Sequence, residues 1–194
     1  VMPVLSGRVL SALRILCNAR ILTVGPGLKS GIKLRLDNPA QLGAELLCGA
    51  VAALEEGPGP LAVISADTAI SIMAVNGKQE LVGGVILPGP QLSLSALVQK
   101  TAQLPQIDLS APASSSILGK NTSACLQNGF VLGTAGLLDG LAERFQAELG
   151  PDIRFYATGN LPRTIREACR TPIEYREYLI TDGLYRIWQK NRKG

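Results

Sequence analysis

Hydrophobic and polar residues alternate with helical spacing at the start of the chain. Over residues 5–18, leucine, valine and cysteine recur every three or four positions, whereas Arg8 and Arg14 lie off that face. This pattern predicts an amphipathic helix. The apolar run at residues 21–24 predicts a short buried strand, which the following Gly-Pro-Gly sequence ends.

A second helical pattern covers residues 39–56, with Pro39 in a position suited to a first helical turn. The sequence Gly57-Pro58-Gly59-Pro60 follows and has the composition of a linker. We therefore predict two units, one over residues 1–60 and one over residues 61–194.

The second unit opens with apolar runs that predict three strands, at residues 61–65, 69–75 and 80–87, with Asn76-Gly77 as a tight hairpin turn. Helical patterns then alternate with one more strand. They predict helices at about 91–103, 122–148, 161–170 and 177–191, and a strand at 153–157. The order predicts a mixed α/β fold.

The composition narrows the possible chemistry. The chain has 194 residues, no histidine and a net charge of +4. Histidine-based triads, histidine-ligated zinc and a histidine base are therefore excluded. No apolar run reaches the roughly 18 residues of a membrane span. The basic residues cluster near the C-terminus without interleaved aromatic residues, so neither a membrane nor a nucleic acid is predicted as a partner.

The four cysteines are far apart and form no Cys-x-x-Cys pair. Their apolar surroundings predict buried free thiols and a reducing, cytoplasmic location. The four are Cys17, Cys48, Cys125 and Cys169.

Two sequences could approach phosphates. The glycine-rich segment 25–31 does not have the spacing of a nucleotide-binding P-loop. At the predicted turn between two strands, Asp67 and Thr68 can supply a carboxylate and a hydroxyl beside exposed N–H groups. A plain Asp/Thr turn is the alternative interpretation of the same residues.

The ordered motifs along almost the whole chain resemble those of type III pantothenate kinases, also called the Bvg accessory factor family. The matching segments are Val24–Gly31, Asp37–Pro39, Gly43–Leu46, Asp67–Ala69, Gly83–Gly89, Thr101–Pro105, Gly119–Thr122 and Thr158–Gly159.

The resemblance implies an actin-like ATPase fold built from ribonuclease H-like lobes. It also implies transfer of a phosphoryl group from ATP to the 4′-hydroxyl of pantothenate, the first step of coenzyme A synthesis. The cofactors would be Mg²⁺ and K⁺, and the assembly a homodimer with pantothenate at the subunit interface.

The resemblance also assigns roles to single residues. It makes Glu45 the general base and places Asp67 and Thr68 at the phosphates or metal. Gly83 and Gly84 would allow either nucleotide approach or close strand packing. Finally, it places Gly43 and Thr122 at pantothenate and Ser65 at the metal position.

Several of these positions depart from the family pattern. Glu45 and Leu46 stand where the family has Asp and Arg, and Leu36 stands where it has a tyrosine. Leucine cannot replace a guanidinium. Ser65 replaces the cation-binding Asp, and Asp67 replaces a glycine. The family's Thr-Gly-Gly near the end is Thr158-Gly159-Asn160 here.

The family's opening Asp-x-Gly-Asn-Thr strand and turn has no counterpart here. We therefore expect an incomplete first lobe and a chain that alone is weakly active or inactive. The alternative is a degenerate paralogue that acts as a non-catalytic or regulatory subunit and forms a heteromer with an intact kinase.

Two further groups leave alternatives open. Arg163, Arg166 and Arg170 would either neutralise a nucleotide or form a solvated helix face. Near the C-terminus, the aromatic residues would either pack the last helix onto the body or contribute to a partner surface. They are Tyr178, Tyr185 and Trp188, with Tyr175 expected to pack.

Overall fold

The structure is a computed structural model that describes residues 3–25, 27–114 and 116–192, and it confirms the mixed α/β class. In this part of the chain the strands are β1 (Lys33–Leu34), β2 (Leu61–Ala66), β3 (Ala69–Val75), β4 (Glu80–Pro88), β5 (Arg154–Gly159) and β6 (Ile173–Tyr175). The α-helices are α1 (Pro3–Leu16), α2 (Ala44–Glu55), α3 (Pro90–Gln99), α4 (Thr122–Leu149), α5 (Arg163–Ala168) and α6 (Leu179–Asn191).

The strands form one sheet in the order β1-β4-β3-β2-β5-β6. β2, β3 and β4 form an antiparallel meander, whereas β5 runs parallel to β2 and β6 parallel to β5. The predicted Asn76-Gly77 hairpin is confirmed. The Asn76 side chain accepts hydrogen bonds from the backbone N–H groups of Lys78 and Glu80, at 2.9 and 3.0 Å.

Helices cover both faces of the sheet, because successive residues of a strand point to opposite sides. Leu61 and Val63 join the core formed with α2 and α6, whereas Ile64 joins the core formed with α4 and α5. α6 packs closely on α2 at Gly183, where any Cβ would overlap the carbonyl oxygen of Cys48. β2 is thus buried on both faces, as its near-continuous apolar sequence indicates.

The helix predicted at the start of the chain forms as α1, but most of its apolar side chains are exposed to solvent. Leu5 is 45% exposed and Ile15 is 85% exposed. The strand predicted at residues 21–24 is wrong, because this stretch has no strand partner in the structure. β1 occupies the edge beside β4 instead, pairing Lys33 and Leu34 with the start of that strand.

The helix predicted over residues 39–56 begins later than expected. Pro39–Gln41 is a single 3₁₀ turn, and α2 starts at Ala44. Gly43 separates the two because it has an extended backbone conformation, with φ −60° and ψ 134°. The helix predicted at residues 161–170 is shorter, since Pro162 holds an extended conformation immediately before α5.

The segments on either side of residues 57–60 contribute to the same sheet and core. β1 and α2 precede that linker in the sequence. β1 pairs with β4, and α2 packs on β2 and α6, all of which follow it. A membrane span was not expected, and no helix in the described ranges is long and apolar enough to be one.

The four cysteines are free thiols, but burial was predicted correctly only in part. Cys48 is buried, whereas Cys17 and Cys125 are exposed. Burial raises the pKa of the Cys48 thiol. Burial, together with the nearby Asp139 charge, raises the pKa of Cys169 to about 11. These two thiols therefore stay protonated near neutral pH.

The aromatic residues at the start of and within the last helix are only partly buried. Tyr178, Tyr185 and Trp188 are 64%, 54% and 42% exposed. The rings of Tyr185 and Trp188 stack on each other, with 5.7 Å between their centroids. The partner-surface interpretation of these three residues stays a prediction.

Candidate functional site

A cleft forms at the carboxyl end of β2. Asp67 and Thr68 make up the whole connection from β2 to β3, and the Asp67 N–H donates to the carbonyl oxygen of Ala69 at 2.9 Å. The N–H of Gly89 donates to the Thr68 carbonyl oxygen at 2.9 Å, so the start of α3 lies against this turn. A Cβ on Gly89 would overlap the Asp67 carbonyl oxygen, so only glycine permits the approach.

The end of β5 reaches the same turn. Gly159 has a φ of +83°, and a Cβ there would overlap the Ala66 carbonyl oxygen. The following N–H, from Asn160, donates to that same oxygen at 2.5 Å. The Asn160 side-chain Nδ2 then donates to Oδ1 of Asp67 at 2.9 Å. The β2–β3 turn, the end of β5 and the start of α3 thus converge.

Between them lies a partly open cavity of about 380 Å³, lined by Asp67, Thr68, Pro90, Gln91, Leu92, Leu109, Asn160 and Pro162. Its volume lies within the range of small-ligand sites, roughly 300–1,000 Å³. α3 begins here with Gly89 as N-cap and no side-chain cap. Its first N–H groups and its dipole favour an anion.

Hydrogen bonds from Tyr175 and Arg166 hold the loop that carries Asn160. The Tyr175 hydroxyl donates to the Gly159 carbonyl oxygen at 2.9 Å. The Arg166 guanidinium lies 4.0 Å from the centre of the Tyr175 ring, and its Nε donates to the Leu161 carbonyl oxygen at 3.3 Å. These bonds fix the backbone on which the Asn160 side chain depends.

Arg163, Arg166 and Arg170 bind protein groups rather than line the cavity. Arg163 pairs with Glu167 on an exposed helix face, and the side chain of Arg170 pairs with Asp139 and Glu143. Only Arg163 therefore fits the solvated helix face: Arg166 is half-buried against the Tyr175 ring, and Arg170 lies beyond the end of α5.

Glu45 lies near the carboxyl ends of β2 and β5, as the cavity does, but it does not line the cavity. The Arg154 guanidinium, at the start of β5, donates to the carbonyl oxygens of Glu56 and Gly57. This places the C-terminus of α2 at the amino ends of β2 and β5. The N-terminus of α2, with Gly43 and Glu45, therefore lies near the carboxyl ends of these two strands. The Glu45 side chain is exposed there.

Ser65 lies one strand position before the cleft, on the α2/α6 face of the sheet. It is half-buried, and its register partners are Ser71 on β3 and Thr158 on β5. Within the described residues, no group of three or more Cys, Asp or Glu side chains is arranged to hold a metal ion. Ser65 contributes a neutral hydroxyl oxygen and no charge.

Gly83 and Gly84 lie inside β4, away from the cavity lining. A Cβ on Gly84 would overlap the carbonyl oxygen of Ile72 on β3, and Gly83 has a φ of +145° beside an irregularity in the ladder. The geometry favours close strand packing, one of the two roles raised for these glycines. Nucleotide contact by them stays a prediction.

Thr122 is exposed at the first position of α4. Asn121 caps this helix, its side chain accepting the N–H of Ala124 at 2.8 Å. Thr122 is not part of the cavity lining, so its contact with pantothenate stays a prediction.

The sequence interpretation missed Asn160 and Gly89 as parts of the site. Asn160 had a signal, since it departs from a Thr-Gly-Gly pattern directly after a buried strand. Its contact with Asp67 joins positions 93 apart in sequence, which no local pattern could indicate.

Comparison with known proteins gives the family. The model of a family described as type III pantothenate kinase matches residues 1–144. A type III pantothenate kinase from Koribacter versatilis is 38% identical over 171 residues, covering 88% of this chain and 62% of the relative. One from an Exiguobacterium species is 35% identical over 176 residues, covering 91% and 68%. The chain thus spans about two thirds of the length of these curated relatives.

A solved structure agrees on the fold. A protein described as a conserved Baf family transcriptional activator from Campylobacter jejuni superposes with a TM-score of 0.59 at 18% identity. The match covers all of this chain and 81% of that one. Since the family model matches well over half of the residues and relatives above 30% identity cover most of the chain, the protein belongs to the type III pantothenate kinase family.

Proposed function

We propose that this chain provides the phosphate-facing part of a type III pantothenate kinase, which uses ATP to phosphorylate pantothenate on the way to coenzyme A. The observation that carries the proposal is the cavity where Asp67, Thr68 and Asn160 meet the N-terminus of α3. Family membership supplies the substrate and the nucleotide. We also place the protein in the cytoplasm, which its free thiols support.

Phosphoryl transfer depends mainly on positioning and on neutralising charge. The Thr68 hydroxyl and the first N–H groups of α3 would bind phosphate oxygens. Mg²⁺, when bound, would offset phosphate charge in the transition state. Asp67 fits it as a single ligand, because Mg²⁺ usually takes one or two carboxylates and completes its shell with phosphate oxygens and water.

Glu45 is the proposed general base. It is exposed in the first turn of α2, near the carboxyl ends of the strands where the cavity also lies. We place pantothenate between Glu45 and the cavity. A glutamate extends one methylene further than the family's aspartate, and a shift on the order of 1 Å can slow a reaction about 100-fold. Gly43 and Thr122 remain the proposed contacts for pantothenate.

The residues present do not fit K⁺ in the same way. The position proposed for cation binding is Ser65, which is half-buried in β2 and carries no charge. We therefore assign no step to potassium.

We further propose that the fold is actin-like, with a ribonuclease H-like lobe built on the meander β2–β4 and the parallel strands β5 and β6. The strand order supports this. The division at residues 57–60 and the homodimer belong to the same proposal.

The second candidate is a non-catalytic or regulatory subunit that pairs with an intact kinase. Leu46 favours it, because this residue is only 8% exposed and packs in the core where the family has an arginine. A buried leucine offers no cation to the substrate.

The test is pantothenate-dependent ADP release by the purified chain with Mg²⁺ and K⁺, beside a Glu45→Gln variant. We expect weak turnover that the substitution lowers by about 100-fold, since the variant loses its base. Turnover that Glu45→Gln leaves unchanged would remove Glu45 from the mechanism. If the folded chain has no turnover alone but gains it with a co-purifying intact homologue, the subunit role replaces the enzyme.

A further inference from the structure

The last helix has a second apolar side that the core does not cover. Its exposed residues recur at the i, i+3, i+4 and i+7 spacing of one helix face, and they are Thr181, Leu184, Tyr185 and Trp188. Residues 22–28 lie opposite, and between them and α6 is a partly open groove of about 360 Å³. An exposed apolar groove of this kind is typical of a site that binds another molecule.

The two walls of the groove are fastened to each other. Asn191, at the end of α6, donates from Nδ2 to the Lys29 carbonyl oxygen at 3.0 Å and accepts the Lys29 N–H at 3.1 Å. Lys190 Nζ donates to the Ser30 carbonyl oxygen at 3.4 Å. The groove is therefore formed before anything binds, which lowers the entropy cost of binding. Its lining side chains include Leu22, Val24 and Leu28 on one wall and Leu184, Tyr185 and Trp188 on the other.

The segments that form the groove are positively charged. Residues 1–36 contain six basic residues and no acidic one, whereas residues 37–178 contain fourteen acidic and nine basic residues. At the end of α6, Lys190 is exposed, and the Arg192 guanidinium lies 5.7 Å from the centre of the Trp188 ring. The groove thus has apolar walls and positive charge at one end.

Acidic residues occur on the same helix, but on another side. Asp182 lines a neighbouring cleft with Glu55 and Glu56, where Arg176 and Arg186 offset part of their charge. The apolar groove therefore favours a partner that carries acidic side chains beside its apolar ones.

The same features disfavour two other occupants. In a second copy, α1 has an exposed apolar face, but it carries Arg8 and Arg14 and lies in the stretch without acidic residues, so like charges would meet. An anionic membrane would match the charge. A flat surface leaves a concave groove unfilled, however, whereas the ridge of a helix fills it.

We propose that this groove binds an acidic amphipathic helix of another protein, whose apolar side chains at i, i+3, i+4 and i+7 enter between α6 and residues 22–28. The proposal goes beyond the kinase role and does not depend on it, because the groove and the cavity at Asp67 share no lining residue.

The experiment uses the fluorescence of Trp188, which is the one tryptophan of the chain and lines the groove. The probe is a synthetic peptide of about 18 residues with leucine at the helical spacing above and with glutamate and alanine elsewhere. Its control has lysine in place of every glutamate. The acidic peptide should shift the emission to shorter wavelength and protect Trp188 from acrylamide, with a Kd at least about tenfold lower than that of the lysine peptide.

Salt gives a second readout on the wild-type chain. Raising NaCl from about 0.05 to about 0.5 M should weaken the acidic peptide at least about threefold, because salt screens exposed charges. The apolar contribution to binding does not decrease in this way.

Two pairs of variants separate the apolar and the charged contributions, with calorimetry as the measurement. Leu184→Gln should weaken the acidic peptide about tenfold, whereas Leu137→Gln, at a leucine of similar exposure on α4, should not change its affinity. Arg192→Gln should weaken the acidic peptide about threefold without weakening the lysine peptide. Arg144→Gln, at an exposed arginine on α4, should leave both unchanged. Thermal melting checks that each variant is folded.

Four results would overturn the proposal. Two of them are equal affinity for the two peptides and no binding of the acidic peptide by the folded chain. A Trp188 shift that appears on raising the protein concentration alone, together with a dimer in sedimentation, would assign the groove to a second copy. A shift with vesicles of phosphatidylglycerol and phosphatidylcholine, but none with the acidic peptide, would assign it to lipid.

Discussion

The N-terminal segment and the cleft edge both lie outside the regular core, yet they are held very differently. At the cleft, Gly89 and Gly159 bring backbones into contact, and Asn160 joins two strands through its side chain. In α1, the apolar side chains follow a regular helical pattern but remain largely exposed. A hydrophobic pattern thus indicates that a helix forms, whereas specific contacts decide whether it is held.

The largest expected effect comes from comparing two isoleucines. Ile70, at the start of β3, is fully buried, whereas Ile15 in α1 is 85% exposed. Ile70→Ala should lower the free energy of unfolding by about 3–5 kcal/mol, because it leaves a cavity in the core. Ile15→Ala should change it by less than about 0.5 kcal/mol. Urea unfolding followed by circular dichroism measures both.

Equal losses for the two isoleucine variants would mean that α1 packs against the body in solution. The contrast between the two regions would then be wrong. A small loss for Ile70→Ala would instead mean that the sheet can close around the missing atoms.

A buried carboxylate gives the second prediction. Asp139 of α4 is only 3% exposed and accepts the backbone N–H groups of Arg170 and Thr171 at 2.9–3.0 Å. It fastens the segment after α5 to α4. Asp139→Ala should therefore destabilise the fold by about 2 kcal/mol, because these donors lose their acceptor. Asp152→Ala, at an exposed position, should have almost no effect.

The same residue predicts a pH dependence. Burial alone would raise the pKa of Asp139, but the hydrogen bonds from Arg170 and Thr171 outweigh it and lower the pKa below its ordinary value. The unfolded chain therefore binds the proton more readily. The stabilisation is complete above the ordinary aspartate pKa, about 3.9, and is lost as the pH falls through the lower folded value.

Unfolding midpoints between pH 6 and pH 3 would check this pH dependence. The wild type should lose more stability than Asp139→Ala over that range. Parallel curves for the two proteins would contradict the assignment.

Much of this architecture could be predicted from the sequence, but the contacts of the site could not. The sequences of β2, β3 and β4 are mostly apolar, and the Asn76 turn has a recognisable local sequence. The meander could therefore be predicted from the sequence. The strand expected at residues 21–24 failed because pairing depends on a distant edge, which β1 occupies. Asp67 was singled out from its turn, whereas its partner Asn160 required the fold.

The smallest effect should come from the brace behind the cleft. The Tyr175 hydroxyl donates to the Gly159 carbonyl oxygen, while the ring of Tyr175 supports the Arg166 guanidinium. Tyr175→Phe keeps the ring and its cation–π contact, so it removes the hydrogen bond alone. We expect a loss of about 1 kcal/mol in unfolding free energy.

The loop should respond more than the whole molecule does. Hydrogen exchange at the Asn160 amide should become faster in Tyr175→Phe, because this N–H bonds Ala66 in the segment that the hydroxyl steadies. Exchange in the middle of β2 should slow or quicken only as global stability changes. If both sites change equally, the hydroxyl supports the fold in general and Asn160 is positioned by its backbone bond to Ala66, without help from Tyr175.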